Sequence, residues 1–299
     1  MGSPHWQQAF LRRHRLPESY LSYAQQWFMP LAEGLAAHQN SAGRPLLVAF
    51  NGSQGSGKTT VCDYLRCFLE EHAGLHVLSL SLDDFYLTRA EREGLAARIH
   101  PLLATRGVPG THDMMLLRQT LATLLAAEPG SLKVPRFDKS VDDRAPRAAW
   151  DEVTEGVDIV LLEGWCLGAQ AQTEAELAAP VNALEAREDP RGEWRHYVNE
   201  VLSREFEPMY QLVDQWVMLG APSFDCVYRW RLEQEQKLAE HSRGEGIMNA
   251  SQVARFIQFY ERITRHCLAQ LPSRVHDFYQ LDEARQVTRH RHCESPGSE

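Results

Sequence analysis

No C-x-x-C pair occurs in this sequence. Its six cysteines stand at positions 62, 67, 166, 226, 267 and 293 of 299 residues, mostly inside apolar runs. A six-cysteine disulfide framework suits a much smaller secreted chain, so reduced, buried thiols are expected. Long apolar runs are also missing. The best of them, ending at Leu162, is too short to span a membrane and is followed by Glu163. The opening Met1-Gly2-Ser3-Pro4-His5-Trp6 lacks the apolar stretch of a secretory signal, so the expected location is cytoplasmic, with no membrane partner. Basic charge is short: 31 Lys and Arg against 40 Asp and Glu give a formal charge of -9, which offers no support for nucleic-acid binding. No internal repeat and no N-K-x-D guanine signature is present, which disfavours a typical GTPase switch. Composition leaves the oligomeric state open.

What the sequence does have is a complete phosphate-binding loop. Gly52-Ser53-Gln54-Gly55-Ser56-Gly57-Lys58-Thr59 follows the apolar run Pro45-Leu46-Leu47-Val48-Ala49-Phe50 and precedes the helix-compatible Thr60-Val61-Cys62-Asp63-Tyr64-Leu65. Strand, loop and helix in that order are the context in which G-x-x-x-x-G-K-[ST] has a mechanism. Glycines let the backbone N–H groups curl around phosphate, and the new helix adds its positive end. Lys58 is placed to reach the β- and γ-phosphates of ATP, and the Thr59 hydroxyl to sit on Mg²⁺.

Two acidic landmarks go with the loop. In Ser81-Leu82-Asp83-Asp84-Phe85-Tyr86 a carboxylate lies just past an apolar strand, in the crevice where open α/β sheets bind ligands. Asp83 is the expected base or alcohol-positioning group, and Asp84 the one to order a metal-bound water or cap the next turn. The run Ile159-Val160-Leu161-Leu162 delivers Glu163 to the sheet edge, where one carboxylate suffices for a Mg²⁺ that keeps most of its waters.

Alternating apolar strands and amphipathic helices from residue 45 onward predict a mostly parallel sheet covered on both faces. Residues 5–43 read as one or two helices bent or divided at Pro30. Thr111 is the expected cap of a helix carrying Met114, Leu117, Leu121 and Leu124, which Pro129-Gly130 stops. Residues 132–137 are read as extended, 170–191 as an exposed excursion, 276–281 as a final strand, and the tail after Arg289 as disordered. Asn249 and Gln252 have capping-box spacing ahead of a helix with Val253, Phe256, Ile257, Tyr260, Ile263 and Cys267 on one side.

These segments together resemble the superfamily of phosphoribulokinase, uridine kinase and bacterial pantothenate kinase, and within it the D-glycerate 3-kinase-like branch. The matching pieces are the loop 52–59, residues 81–86, 106–113 (RGVPGTHD), 134–140 (VPRFDKS), 162–165, 221–224 and 228–235. The resemblance implies a P-loop nucleoside-triphosphate-hydrolase-like three-layer α/β fold with N-terminal helices (1–44), a kinase domain (45–289), a helical lid near 228–248 and a polar tail (290–299). It also implies a base role for Asp83, a metal role for Glu163, and Thr60 and Tyr86 as further nucleotide and substrate contacts. Arg229, Arg231 and Lys237 fall in the segment that closes over the phosphates in that superfamily. Arg231 and Glu235 stand four apart, so a surface ion pair worth about 0.3–0.5 kcal/mol competes with that role.

The expected activity is ATP-dependent phosphorylation of a small anionic alcohol, D-glycerate first. Pantothenate, uridine and sugars are the alternatives in the same superfamily, and a nucleotide-driven regulatory ATPase is the alternative outside it. Arginine suits the acceptor's carboxylate because its planar fork binds both oxygens. Arg106 and Arg136 are the first choices for that clamp, with Lys139 a less directional charge and His112 a hydrogen-bond donor.

Overall fold

The computed structural model describes residues 5–126, 131–241 and 248–294. Six strands make the central sheet: β1 (Leu46–Gly52), β2 (Val77–Ser81), β3 (Ile159–Gly164), β4 (Gln215–Gly220), β5 (Asp277–Leu281) and β6 (Val287–His292). Their order is β6-β5-β4-β1-β3-β2, parallel throughout except for the antiparallel β5–β6 hairpin at one edge. Every residue of β1 and β3 is buried, as expected of central strands covered by helices on both faces. Each Leu or Val fully withdrawn from water in these strands contributes about 1.5–3 kcal/mol.

Register is what brings the acidic landmarks together. Phe50 of β1 and Ser81 of β2 both pair with Glu163 of β3. The loop leaving β1, the turn leaving β2 and the end of β3 therefore open onto one crevice at the carboxyl edge of the sheet. Strand order reverses beside β1, the position at which open α/β sheets take ligands.

The N-terminal segment forms three helices, α1 (His5–His14), α2 (Ser19–Trp27) and α3 (Met29–Ala42), where one or two were expected. Pro30 does not bend a helix. It occupies the first turn of α3, where a missing N–H costs nothing. Phe10, Phe28 and Leu35 bury fully in the main core. Arg13 and His14 both reach Asp63, at 2.7 Å, on α4 (Lys58–Ala73), the helix that begins at the loop.

Other differences have local causes. α5 spans Arg89–Arg98 behind a Thr88–Glu91 capping box, and α6 spans Met114–Leu124. Asp113, not Thr111, caps α6, because the Thr111 hydroxyl is committed to the turn before it: it accepts from Gly107 N and donates to Val108 O. The expected stop of α6 at Pro129-Gly130 lies outside the described residues. Residues 132–137 do not join the sheet but form two small antiparallel pairs, Leu132–Val134 with Asp151–Val153 and Phe137–Asp138 with Asp143–Arg144.

The 170–191 stretch is not simply exposed. Its short helices Glu174–Leu177 and Ala183–Glu188 bury Leu177 and Leu184, and Glu185 forms a buried ion pair with Arg262, 2.6 Å. α7 (Glu193–Val201) passes through a π-turn before Pro208, which again lies in a first turn. α8 (Phe224–His241) and α9 (Ala250–Gln270) follow, α9 behind the expected Asn249–Gln252 capping box. β5 is not the last strand, and β6 runs on to His292. Its His290 and His292 both bond Asp277 at 2.9 Å, so this part of the tail is ordered. All six cysteines are free thiols.

Candidate active site

The loop folds as its glycines require. Gly55 (φ 78°) and Gly57 (φ 90°) take left-handed backbone that side chains rarely adopt, and Gly57 starts α4 so that its first N–H groups face the loop interior. A Cβ on Gly55 would fall 2.8 Å from Trp230 Cβ, so α8 packs directly on the loop. The Ser53 and Ser56 hydroxyls and the Gln54 amide oxygen are buried without a partner among the described residues. Buried polar atoms of that kind are costly unless a ligand or water completes them.

The Thr59 hydroxyl donates to the Glu163 carboxylate, 2.9 and 2.8 Å from its two oxygens. Glu163 is buried at the sheet edge. A hydroxyl and one carboxylate, both hard oxygen donors beside a phosphate loop, fit the one or two protein ligands that Mg²⁺ takes when phosphate and water supply the rest. Among the described residues no group of three or more His, Cys, Asp or Glu able to hold a metal exists.

Asp83 lies in the 3-10 turn Leu82–Phe85 that ends β2, with its backbone N–H capped by Ser81. Tyr86 donates its hydroxyl to one Asp83 oxygen (2.9 Å), and Lys139 donates to the other (2.6 Å). Burial alone would raise this carboxyl. The Lys139 ammonium, Lys58 and the Tyr86 hydroxyl outweigh burial and hold it down at about 2. Its side chain keeps 31% exposure and so opens to the cleft. Asp84 faces the other way, onto Arg136 (2.7 Å) and the Phe137 backbone N–H (3.1 Å). It anchors the 137–144 hairpin, and burial raises its carboxyl.

One cleft of about 340 Å³ collects Gln54, Gly55, Lys58, Thr59, Thr60, Ser81, Asp83, Tyr86, Arg106, Lys139, Glu163 and Arg231. Arg106 pairs with Asp142 and lies 5.4 Å over the Phe137 ring, which fixes its plane. Arg231 pairs with Glu235, but Glu235 is buried, so this is not the solvated surface pair expected, and Arg231 also lines the cleft.

Gly52, Ser53 and Ser56 of the loop lie behind the lining, and three further expected site residues stand outside it. Arg136 is held between Asp84 and Asp151. Arg229 pairs with Glu283 at 3.1 Å. His112 is buried and stacked 4.5 Å from Tyr86, with both ring nitrogens unpartnered among the described residues and burial pushing it down to about 4. Lys237 pairs with Glu233 at 2.7 Å, and residues 242–247 of the expected lid lie outside the described residues.

Sequence reasoning gave Gln234, Phe256 and Tyr260 no part in the cleft, although all three line it. By spacing alone Phe256 and Tyr260 belong to an ordinary apolar helix stripe. The Tyr260 hydroxyl donates to Arg106 O (3.3 Å) where a Cβ on Gly107 (φ 140°) would collide with it, and the Arg231 guanidinium lies 5.5 Å over the Phe256 ring.

Lys139 gives a direct test of the electrostatics. Asp83 sits below the ordinary value of about 3.9 for an aspartate, so its pairing stabilises the fold above about pH 4 and that contribution is lost as pH falls through about 2. In Lys139→Ala the main opposing charge is gone and burial raises the carboxyl. The acid limb of kcat/KM is therefore expected to move to higher pH. An unmoved limb in a pH–rate profile would remove Lys139 from this role.

No family profile matches the chain. An uncharacterized kinase of Schizosaccharomyces pombe, mug58, is 33% identical over 248 residues, covering 78% of this chain and 85% of that protein. The D-glycerate 3-kinase of Cryptococcus neoformans superposes with a TM-score of 0.74 at 25% identity, covering 98% of this chain and all of that one. The chain belongs to the P-loop kinase superfamily, in its D-glycerate 3-kinase-like branch. The chloroplastic D-glycerate 3-kinase of Arabidopsis thaliana is 34% identical over 228 residues, covering 72% of this kinase but only 46% of that protein, so this kinase spans about half its length. The branch's chemistry is ATP-dependent phosphorylation of a small molecule, and the cleft brings a phosphate loop and a strand-end acid to one small space. Among the described residues no helix is long and apolar enough to cross a membrane.

Proposed function

We propose that this kinase transfers the γ-phosphoryl group of ATP to a hydroxyl of D-glycerate, giving 3-phosphoglycerate. The observation that carries this is Asp83, held in one cleft between Lys58 of the phosphate loop and the cations Arg106 and Lys139. A short anionic alcohol matches that arrangement: its carboxylate meets Arg106 and Lys139 while its hydroxyl meets Asp83. Arg136, held by two aspartates away from the cleft lining, leaves the clamp to these two.

The residues divide the work as follows. The loop 52–59 binds the phosphates through backbone N–H groups, with the Ser53 and Ser56 hydroxyls, and Thr60 lies beside it. Thr59 and Glu163 hold Mg²⁺, which when bound neutralises phosphate charge. Asp83 orients the acceptor oxygen in line with phosphorus and takes its proton as the new P–O bond forms. An acceptor carboxylate competes for Lys139, and loosening that pair makes Asp83 more basic at the moment it is needed. Lys58 and Arg231 stabilise charge on the transferring group. The purine occupies a second cavity of about 510 Å³ that shares Ser56, Gly57 and Thr60 with the loop and is walled by Tyr20, Tyr23 and Phe28.

A coupled ADP assay against glycerate, pantothenate, uridine and sugars, with identification of the product, tests the reading. Glycerate-dependent ADP matched by phosphoglycerate is expected. Another phosphorylated alcohol would move the acceptor, and hydrolysis with no phosphorylated product would end the kinase assignment in favour of a regulatory ATPase.

A further inference from the structure

Arg285 sits at the tip of the β5–β6 hairpin with φ 65°, a left-handed conformation unusual for a side-chain-bearing residue. Asp282 holds it there: Arg285 N donates to Asp282 O (3.0 Å), Gln286 N to the Asp282 carboxylate (2.8 Å), and Asp282 N to Gln286 O (2.9 Å). So fixed, Arg285 faces two ways. On one side it lines the 510 Å³ cavity with Tyr20, Tyr23, Gly57 and Thr60. On the other its guanidinium lies 5.4 Å over the Trp230 ring and pairs with Glu233, both on α8.

The same turn grips α8 twice more. Trp230 Nε1 donates to Glu283 O (2.8 Å), and Arg229 pairs with the Glu283 carboxylate (3.1 Å). Arg229 therefore has its work at the hairpin, while the chain two residues on, Arg231, lines the transfer cleft. Between them Trp230 rests against Gly55 of the phosphate loop. Glu233 is drawn down to about 2 by the hydrogen bonds from Arg285 and Lys237, so the anchor on α8 stays charged across the working pH range. A cation stacked on an indole and paired at its edge is directionally defined, unlike a solvated surface charge.

We propose that Arg285 is a positioning residue that links purine occupancy of the cavity to the placement of Arg231 on the transferring phosphoryl group. This rests on the reading of the two cavities given under Proposed function. A purine filling the cavity presses on the Arg285 side of the turn, and the turn sets the first half of α8. A smaller pyrimidine leaves that side uncontacted, so donors with equal phosphates differ in turnover.

The test uses the full chain with glycerate, or with whichever alcohol the acceptor screen identifies, and compares kcat and KM for ATP and CTP. The wild type is expected to turn over faster with ATP. Arg285→Ala is expected to lose about tenfold in kcat with ATP, little in the KM for ATP, and distinctly less in kcat with CTP. Glu233→Gln breaks the same pair from the α8 side without touching the cavity and is expected to show the same kcat loss. The double variant is expected to add nothing further, as two ends of one link should not be additive. Arg285→Lys, which keeps the ion pair, is expected to recover part of the rate.

Equal wild-type kcat with both donors, a KM rise at unchanged kcat, an equal loss with both donors, or additive single variants would each overturn the link. If Arg285→Ala does not fold, Glu233→Gln alone decides by the same split. A wild type that phosphorylates no alcohol at all would instead bring down the kinase reading on which the link stands.

Discussion

Asp83→Asn is expected to lower kcat by about 10²–10⁴-fold, the usual worth of a positioned acid–base group, while ATP affinity changes little. The substitution keeps shape and removes charge. The Tyr86 hydroxyl can still donate to the remaining amide oxygen, so the turn after β2 should hold. What is lost is the acceptor for the alcohol proton and the partner of Lys139. Among the described residues the Asp83 side chain bonds Tyr86 and Lys139 and reaches the loop only through its charge on Lys58, so nucleotide titration should change little beside the collapsed turnover. Retained turnover with an intact fold would remove Asp83 from the reaction path, and parallel loss of nucleotide affinity would assign it to binding.

Lys58→Ala carries the second large effect. Lys58 opens α4, where the helix already directs positive potential at the loop, and its side chain lines the cleft on the phosphate side. An alanine keeps the helix, since alanine is the best helix former, but leaves the transferring group without its nearest fixed cation. Removing one preorganised stabiliser of transition-state charge costs about 10²–10³-fold in rate, so kcat/KM for ATP is expected to fall by at least that order. Affinity should separate by phosphate number: ATP weakened more than AMP, because only the outer phosphates reach this residue. Equal weakening of both in calorimetric titrations would mean that the loop itself had deformed.

Much of the architecture was legible because it is written locally. Gly52 to Thr59 encode a turn whose glycines have one workable backbone path, and the apolar blocks at 46–50 and 159–162 can only be buried strands. Asp83 and Glu163 could be placed at a sheet edge because each directly follows such a block. The partners of the arginines could not be read in the same way. Arg106 meets Asp142, 36 residues on, and Arg136 meets Asp84, 52 residues back, so the choice between them depends on how a hairpin folds over the β2 turn. Thr111 reads as the cap on paper, but the turn at Gly107 takes its hydroxyl and Asp113 caps the helix instead. The cavity beside the loop has no sequence signature at all, being walled by residues 16–28 and 281–286 from opposite ends of the chain.

That wall has a consequence for how the protein is made. The Val287 N–H donates to the Tyr23 hydroxyl across 264 positions of sequence, 2.9 Å apart. During translation helices α1–α3 must wait, unsupported on that side, until residue 287 has emerged, and a contact of such range forms late and slowly. Ribosome-bound fragments ending before residue 277 would carry an intact phosphate loop and still lack the β5–β6 side of its neighbour.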